Sequence, residues 1–338
     1  MSIPTYWKTS LAAIDETMAI VRKGQVMQIC HSAGGRPVCM AFYGKPNDIK
    51  RTANLSSALG AGSTKYYADR TAADYRPTLM LVGCIHGGEF EGTAALNNLI
   101  YVLETGRDIA GCKHPKLTEI AKKINLLLIP CANPDGRARI NFDSFVGRTF
   151  YDLRYYNQGT WKDGSLCDWP GCKAVHPIAG HVDFLGGYFN DDGINLMHDN
   201  FFMPMAAETK ALFETADKYA PDLCIQLHGC GDVANMVLPT ANVPDWMHDV
   251  TTQLDARIAS RCKPERLKYY RATPGYKRRK RAAFNLASAI SHLCGKPCIV
   301  YESNQGLVDG KIVQDYEQIY RHHIILFEEL FDMLEAKV

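Results

Sequence analysis

Four mainly apolar runs of strand length punctuate the chain, at residues 78–85, 124–130, 223–227 and 298–301, with Asn125 in the second and Gln226 in the third. A strand with one wet face alternates apolar and polar residues, whereas a strand covered on both faces reads as a continuous apolar run. These four segments are therefore predicted to form the buried centre of a sheet. Between them the pattern changes to helical period: residues 91–103 put Ala94, Ala95, Leu96, Leu99, Ile100 and Leu103 on one face. Helices are also read at 8–21, 208–219, 249–258, 282–293 and 315–334, the last with a core-facing stripe of Tyr316, Ile319, Tyr320, Phe327, Leu330 and Leu334. Residues 26–30 and 38–43 read as a hairpin across Ala33-Gly34-Gly35, expected at one edge of the sheet. Strands alternating with helices define an α/β fold. The stretch 141–192 lacks periodicity; loops of that length inside a compact domain are usually functional, and this one is expected to wall a cleft.

Each apolar run ends in chemistry. The first leads into His86-Gly87-Gly88-Glu89, the second into Asn133-Pro134-Asp135-Gly136, the third into His228 and the fourth into Glu302. In open α/β sheets, sites collect outside the carboxyl ends of the strands, so the four groups are expected along one sheet edge. The glycine pair lets the chain turn sharply from strand to helix. His86, Glu89 and the distant His228 make a two-His-one-Glu set that leaves a position on zinc open for water. Zinc lowers the pKa of bound water from about 16 toward roughly 7, and a carboxylate within reach can take the proton as that water attacks a carbonyl. Alone, His-x-x-Glu is a weak motif and Glu302 reads better as a cap of the following helix or turn; it is the constellation that points to hydrolysis.

In order and rough spacing, His86-Gly87-Gly88-Glu89, Asn133-Pro134-Asp135-Gly136, Gly193-Ile194-Asn195-Leu196, His228 and Glu302 resemble the motifs of the zinc carboxypeptidase family, the M14-type metallopeptidases. The resemblance implies one catalytic domain spanning 1–338, with the helix and hairpin of about 1–45 in or beside the sheet. It also implies a mixed, mostly parallel eight-stranded sheet with helices on both faces, one zinc ion per chain, and hydrolysis of an amide bond. Carried over, His86, Glu89 and His228 are zinc ligands and Glu302 is the general base. A downstream arginine stabilises the oxyanion in the family; Arg148 has the nearest spacing, with Arg137, Arg139 and Arg154 as alternatives. Asn195 takes the place of an aspartate that orients a zinc-bound histidine, and Tyr276 is the nearest match to a tyrosine that covers the substrate. One departure affects specificity. Where the family carries an Asn-Arg pair that grips the substrate's free carboxylate, this chain has Met197 and His198, and methionine cannot make a bidentate grip. Either another cation, such as Arg278, Arg279 or Arg281, takes that task, or the substrate is distinguished by another group. A zinc deacylase of small N-acyl amino acids, as in the desuccinylase and aspartoacylase branch, is the alternative activity. A non-catalytic polyanion-binding protein on the same scaffold is the remaining alternative.

Composition narrows the partners. The chain has 338 residues, 46% hydrophobic and 22% charged, enough for a sizeable core. The basic run Lys277-Arg278-Arg279-Lys280-Arg281 in isolation suggests a nucleic-acid patch, but 38 Lys and Arg against 36 Asp and Glu leave a net charge of +2 and no broad phosphate-neutralising field. The run is read instead as an electropositive rim for a peptide or peptide-like substrate that is itself anionic. No segment approaches the roughly 20 apolar residues of a membrane span, and the first residues lack the charged and apolar regions of a signal peptide, so a cytoplasmic location is expected. The twelve cysteines show no paired framework and fit free thiols in a reducing compartment, including Cys167 and Cys172.

Overall fold

Along the strand Thr78–Gly83 every residue is buried, and alternate side chains leave for opposite sides. Leu79 and Leu81 join one apolar cluster, Met80 and Val82 another. This is the behaviour of a strand covered on both faces, as its unbroken apolar run predicts. The structure is a computed structural model describing residues 2–231, 233–272 and 283–336; Tyr276, Arg278, Arg279 and Arg281 lie outside the described residues.

The strands are β1 (Gln25–His31), β2 (Pro37–Tyr43), β3 (Thr78–Gly83), β4 (Asn125–Ile129), β5 (Gly159–Trp161), β6 (Val182–Leu185), β7 (Leu223–Cys230), β8 (Met236–Leu238) and β9 (Cys298–Asn304). Seven of them make the main sheet in the order β1-β2-β4-β3-β7-β9-β8. Its centre, β4-β3-β7-β9, is parallel, while the β1–β2 hairpin and β8 run antiparallel to their neighbours at the two edges. The hairpin is therefore an edge, as its pattern predicts. The helices are α1 (Leu11–Ala19), α2 (Leu55–Gly60), α3 (Phe90–Thr105), α4 (Pro115–Ala121), α5 (Pro134–Ala138), α6 (Phe150–Leu153), α7 (Ala207–Tyr219), α8 (Asp245–Cys262), α9 (Leu286–Cys294) and α10 (Tyr316–Glu335). Residues of α1, α3, α4, α8 and α10 share the cluster of Leu79 and Leu81, and residues of α2, α7 and α9 share that of Met80 and Val82, so helices cover both faces.

The expected eighth strand is a correction. Among the described residues the main sheet has seven. Beside β8 the chain adds only an isolated parallel bridge between Asn235 and Tyr269. Part of the backbone there is committed elsewhere, because the Lys268 carbonyl accepts a hydrogen bond from Gln314 Nε2 at 3.1 Å. The stretch 141–192, aperiodic in sequence, holds α6, the small β5–β6 ribbon and several single turns.

Asp135, in the Asn-Pro-Asp-Gly turn, ties the edge hairpin to the centre. Its fully buried carboxylate accepts from Ser32 Oγ at 2.5 Å, Gly34 N at 2.9 Å, Arg36 Nη1 at 2.8 Å and Asp191 N at 3.1 Å. Burial alone would raise its pKa, but these donors outweigh it and hold the carboxyl below its usual range. A depressed folded-state pKa contributes stability that is present above the unfolded value and is lost as the pH falls through the folded value. Asp135→Asn is expected to lower unfolding stability by about 1–3 kcal/mol at pH 7. In urea melts the gap to the parent narrows below the ordinary Asp value of 3.8, where the parent's carboxylate also takes up a proton; a gap independent of pH would show that charge at Asp135 is not what holds the hairpin.

Candidate metal centre and active site

Three parallel strands deliver the reactive groups. β3 leaves the sheet at Gly83, and Cys84 adopts a left-handed backbone (φ 51°) that turns the chain toward His86. The next turn is built by close backbone approach. A Cβ at Gly87 would overlap the backbone of Gly136, a Cβ at Gly136 would overlap the carbonyl of Gly187, and Gly87 N donates to Gly187 O at 2.6 Å. The His-Gly-Gly-Glu and Asn-Pro-Asp-Gly motifs are thus packed back to back. Asn133 reinforces the joint: its side-chain oxygen accepts from Gly136 N at 2.9 Å, and its amide nitrogen donates to Ile85 O at 3.3 Å and Gly187 O at 3.4 Å. Glu89 then stands at the N-cap of α3.

From β7, His228 joins His86 and Glu89, each 3% exposed. Glu89 Oε1 lies 2.7 Å from His86 Nδ1, and Oε2 lies 2.8 Å from His228 Nδ1. Among the described residues these three form the one group suited to a metal, with their ligand atoms within 4.8 Å of one another. Burial raises the cost of charge on Glu89, but the two imidazoles overcome it and hold the carboxyl near a pKa of about 2. Burial draws His86 below its ordinary value, which favours the neutral imidazole a metal needs. His86 Nε2 faces Asn195 Oδ1 at 3.2 Å, so a proton on Nε2 donates there and leaves the Nδ1 lone pair free. Asn195 is itself fixed by the Met197 N–H, which donates to the same oxygen at 3.0 Å. Tyr188 stacks on the His86 ring with centroids 3.6 Å apart and planes 12° from parallel. The donor set, its burial and the fixed histidine tautomer fit a zinc ion held by two Nδ1 atoms and a carboxylate.

Glu302 stands opposite His228 in the β7–β9 register. Partly buried, its carboxyl is pushed up to about 7 by burial and by the Glu89 charge, against the opposing pull of His228 and Lys173. The four sequence-nominated arginines are not in this cluster. Arg148 lies over the Phe142 ring, 3.6 Å from its centroid. Arg139 donates to the carbonyls of Gly186 at 2.6 Å and Phe189 at 2.8 Å and pairs with Asp191 at 3.0 Å. Arg137 donates to Thr9 O and Ile140 O, and Arg154 pairs with Asp168 at 3.2 Å. The cation whose charge does act on both Glu89 and Glu302 is Lys173, in the single turn Gly171–Lys173. Lys173 lines a cavity of about 110 Å³ with Asn195, His198, His176, Cys172 and Phe189. Sequence reading missed Lys173 and Tyr188 because both sit in the aperiodic stretch; the one local signal was the flanking pair Cys167 and Cys172, both buried free thiols.

A buried two-His-one-Glu metal set at the carboxyl ends of parallel strands, on a mixed sheet with helices on both faces, defines an α/β metallohydrolase. Residues 20–292 match the model of the zinc carboxypeptidase family, and the chain belongs to that family of zinc-dependent metallopeptidases. Among curated proteins, none matches the chain by sequence. Solved structures share the fold at low identity. A metallo-carboxypeptidase from Burkholderia cenocepacia aligns with TM-score 0.59 and 15% identity over 97% of this chain and 70% of its own. One from Pseudomonas aeruginosa, in complex with (2-guanidinoethylmercapto)succinic acid, aligns with TM-score 0.57 and 12% identity over 96% of this chain and 68% of its own. Bovine thrombin-activatable fibrinolysis inhibitor, in complex with tick carboxypeptidase inhibitor, gives TM-score 0.56 and 11% identity over 99% of this chain and all of its own.

If the three ligands act together, replacing His86, Glu89 or His228 by alanine strips zinc, read by metal analysis of the purified protein. Asn195→Ala, which removes the partner of His86 Nε2, is expected to retain the site but weaken zinc by about 10–100-fold in chelator competition. Stoichiometric zinc in His228→Ala would remove that residue from the set.

Proposed function

We propose that the protein is a metallocarboxypeptidase-like hydrolase that cleaves an amide bond of a peptide or peptide-like substrate, with Glu302 as general base. The observation that carries this reading is the pairing of His228 with Glu302 across adjacent parallel strands. It brings a carboxylate beside the metal ligands without making it one of them. When bound by His86, Glu89 and His228, zinc acidifies water and polarises the scissile carbonyl. Glu302 accepts the water's proton and passes it to the leaving amine; a carboxyl raised by burial toward neutrality matches both transfers, since the ideal acid–base group titrates near the working pH. Tyr188 and Asn195 hold His86 in one orientation and tautomer, as a ligand to zinc would need. Family membership supports the peptidase reading. The acid-bearing compound bound by the Pseudomonas metallo-carboxypeptidase supports a substrate with a free carboxylate.

Incubating zinc-loaded protein with peptides, their C-terminal amides and N-acyl amino acids, and reading products by mass, tests the activity; cleavage of N-acyl amino acids alone would replace peptidase by deacylase. Glu302→Gln keeps size and shape but cannot take the proton. Its kcat is expected to fall by about 10²–10⁴ with zinc content unchanged. Loss of zinc together with activity would make Glu302 a ligand, and near-parental turnover would remove it from the mechanism.

A further inference from the structure

The carboxylate assigned to proton transfer takes its place from the backbone beneath it. Among the described residues Glu302 makes no side-chain hydrogen bond; burial and the charges of His228, Glu89 and Lys173 act on it, and charges impose little of the direction that a hydrogen bond does. Its position therefore follows from the end of β9. There the ladder to β7 runs through His228–Glu302, Gly229–Ser303 and Cys230–Asn304, and Gln305 N donates to Cys230 O at 3.1 Å. The chain then turns at Gly306 (φ 68°). Gln305 is fully buried, and its Nε2 donates to the Gly88 carbonyl at 3.1 Å, across 217 positions of the sequence. Gly88 immediately precedes the ligand Glu89. One side chain thus links the strand end that carries the base to the turn that carries two metal ligands.

The backbone beside His228 leaves room for this contact. A Cβ at Gly229 would lie 2.8 Å from Glu91 Oε2 and 3.0 Å from Gln305 Cδ and Nε2, too close unless those groups shifted. The bare glycine lets the Gln305 carboxamide lie against β7 while it reaches the turn after β3. Gln305 Oε1 has no hydrogen-bond partner, so the Nε2 end orients the group; turned over, it would set one acceptor oxygen against another.

We propose that Gln305 is a positioning residue, which through Gly88 fixes the separation between the Glu302 carboxylate and the metal set of His86, Glu89 and His228. The proposal rests on the reading of Glu302 as general base. Proton transfer needs heavy atoms about 2.6–3.2 Å apart, and a misplacement of about 1 Å can cost on the order of 10²-fold in rate. Gln305 acts on the reaction by holding the base at that distance.

Two substitutions remove the bond in different ways. Gln305→Met keeps the length and loses the donor; Gln305→Asn keeps the amide but is one methylene too short to reach Gly88, and it carries the test if the methionine variant does not fold. In each, kcat on a cleaved peptide is expected to fall about 10–100-fold, with KM and zinc content near the parental values. In the Glu302→Gln background the same substitutions are expected to change kcat by less than about twofold, because residues that act through one step are not additive. A full further loss on top of Glu302→Gln, loss of zinc, or parental kcat in both variants overturns the proposal. A second readout needs no turnover. Crystal structures of the zinc-loaded parent and of zinc-loaded Gln305→Asn give the separation of Glu302 from the metal directly, and it is expected to differ by about 1 Å; an unchanged separation overturns the proposal. A parent that cleaves no amide ends the hydrolase reading, while the crystal comparison still decides the positioning role.

Discussion

Two imidazole nitrogens and two carboxylate oxygens meet in a buried space where none of them would be stable alone. Glu89 sits with one oxygen on each histidine, at 2.7 and 2.8 Å. Moving such a carboxylate out of water is costly unless it is paired, so the surrounding fold must hold both partners in place. The β7–β3 register aligns the strand that carries His228 with the strand that feeds His86. The close approach of Gly87 to Gly136 removes the room for any other course of the backbone. A zinc ion held by His86, Glu89 and His228 would take over the task of pairing these groups.

The Asn-Pro-Asp-Gly turn contributes architecture more than chemistry. Asn133 clamps the end of the β3 segment through Ile85 O. Asp135 binds the edge hairpin and the 191 loop, and Arg139 holds the carbonyls of Gly186 and Phe189 that lead into Tyr188. That chain of contacts runs from the sheet edge to the ring stacked on His86. Arginines downstream of the motif therefore have ready structural employment, with all four paired, stacked or bonded to backbone away from the metal ligands. Charge near the reacting centre comes from Lys173, on an excursion of the chain that the motif does not include.

The parallel core was legible because burial on both faces favours apolar residues, and the runs before His86, Asn133, His228 and Glu302 are apolar apart from Asn125, Gln226 and a terminal Thr78. The helices α3, α7, α8 and α10 were legible for the same reason at another period, their ends shifting by a few residues. The short helices α2, α4 and α5 were not read, because helices of five to seven residues carry too few turns to display a period.

What the sequence by itself determined is that two histidines and two glutamates stand at or just beyond strand ends, which any parallel sheet that buries those strands brings to one edge. The eighth strand, the place of the arginines and the source of the nearby cation were decided only by tertiary structure. Strand pairing at an edge depends on which backbone groups other elements have already engaged, as at the Lys268 carbonyl. The direction of a long charged side chain depends on which carbonyls and rings lie within its reach. Lys173 stands far from Glu302 in sequence, in a stretch with no hydrophobic period to place it, and only the tertiary fold brings its charge to bear on Glu302.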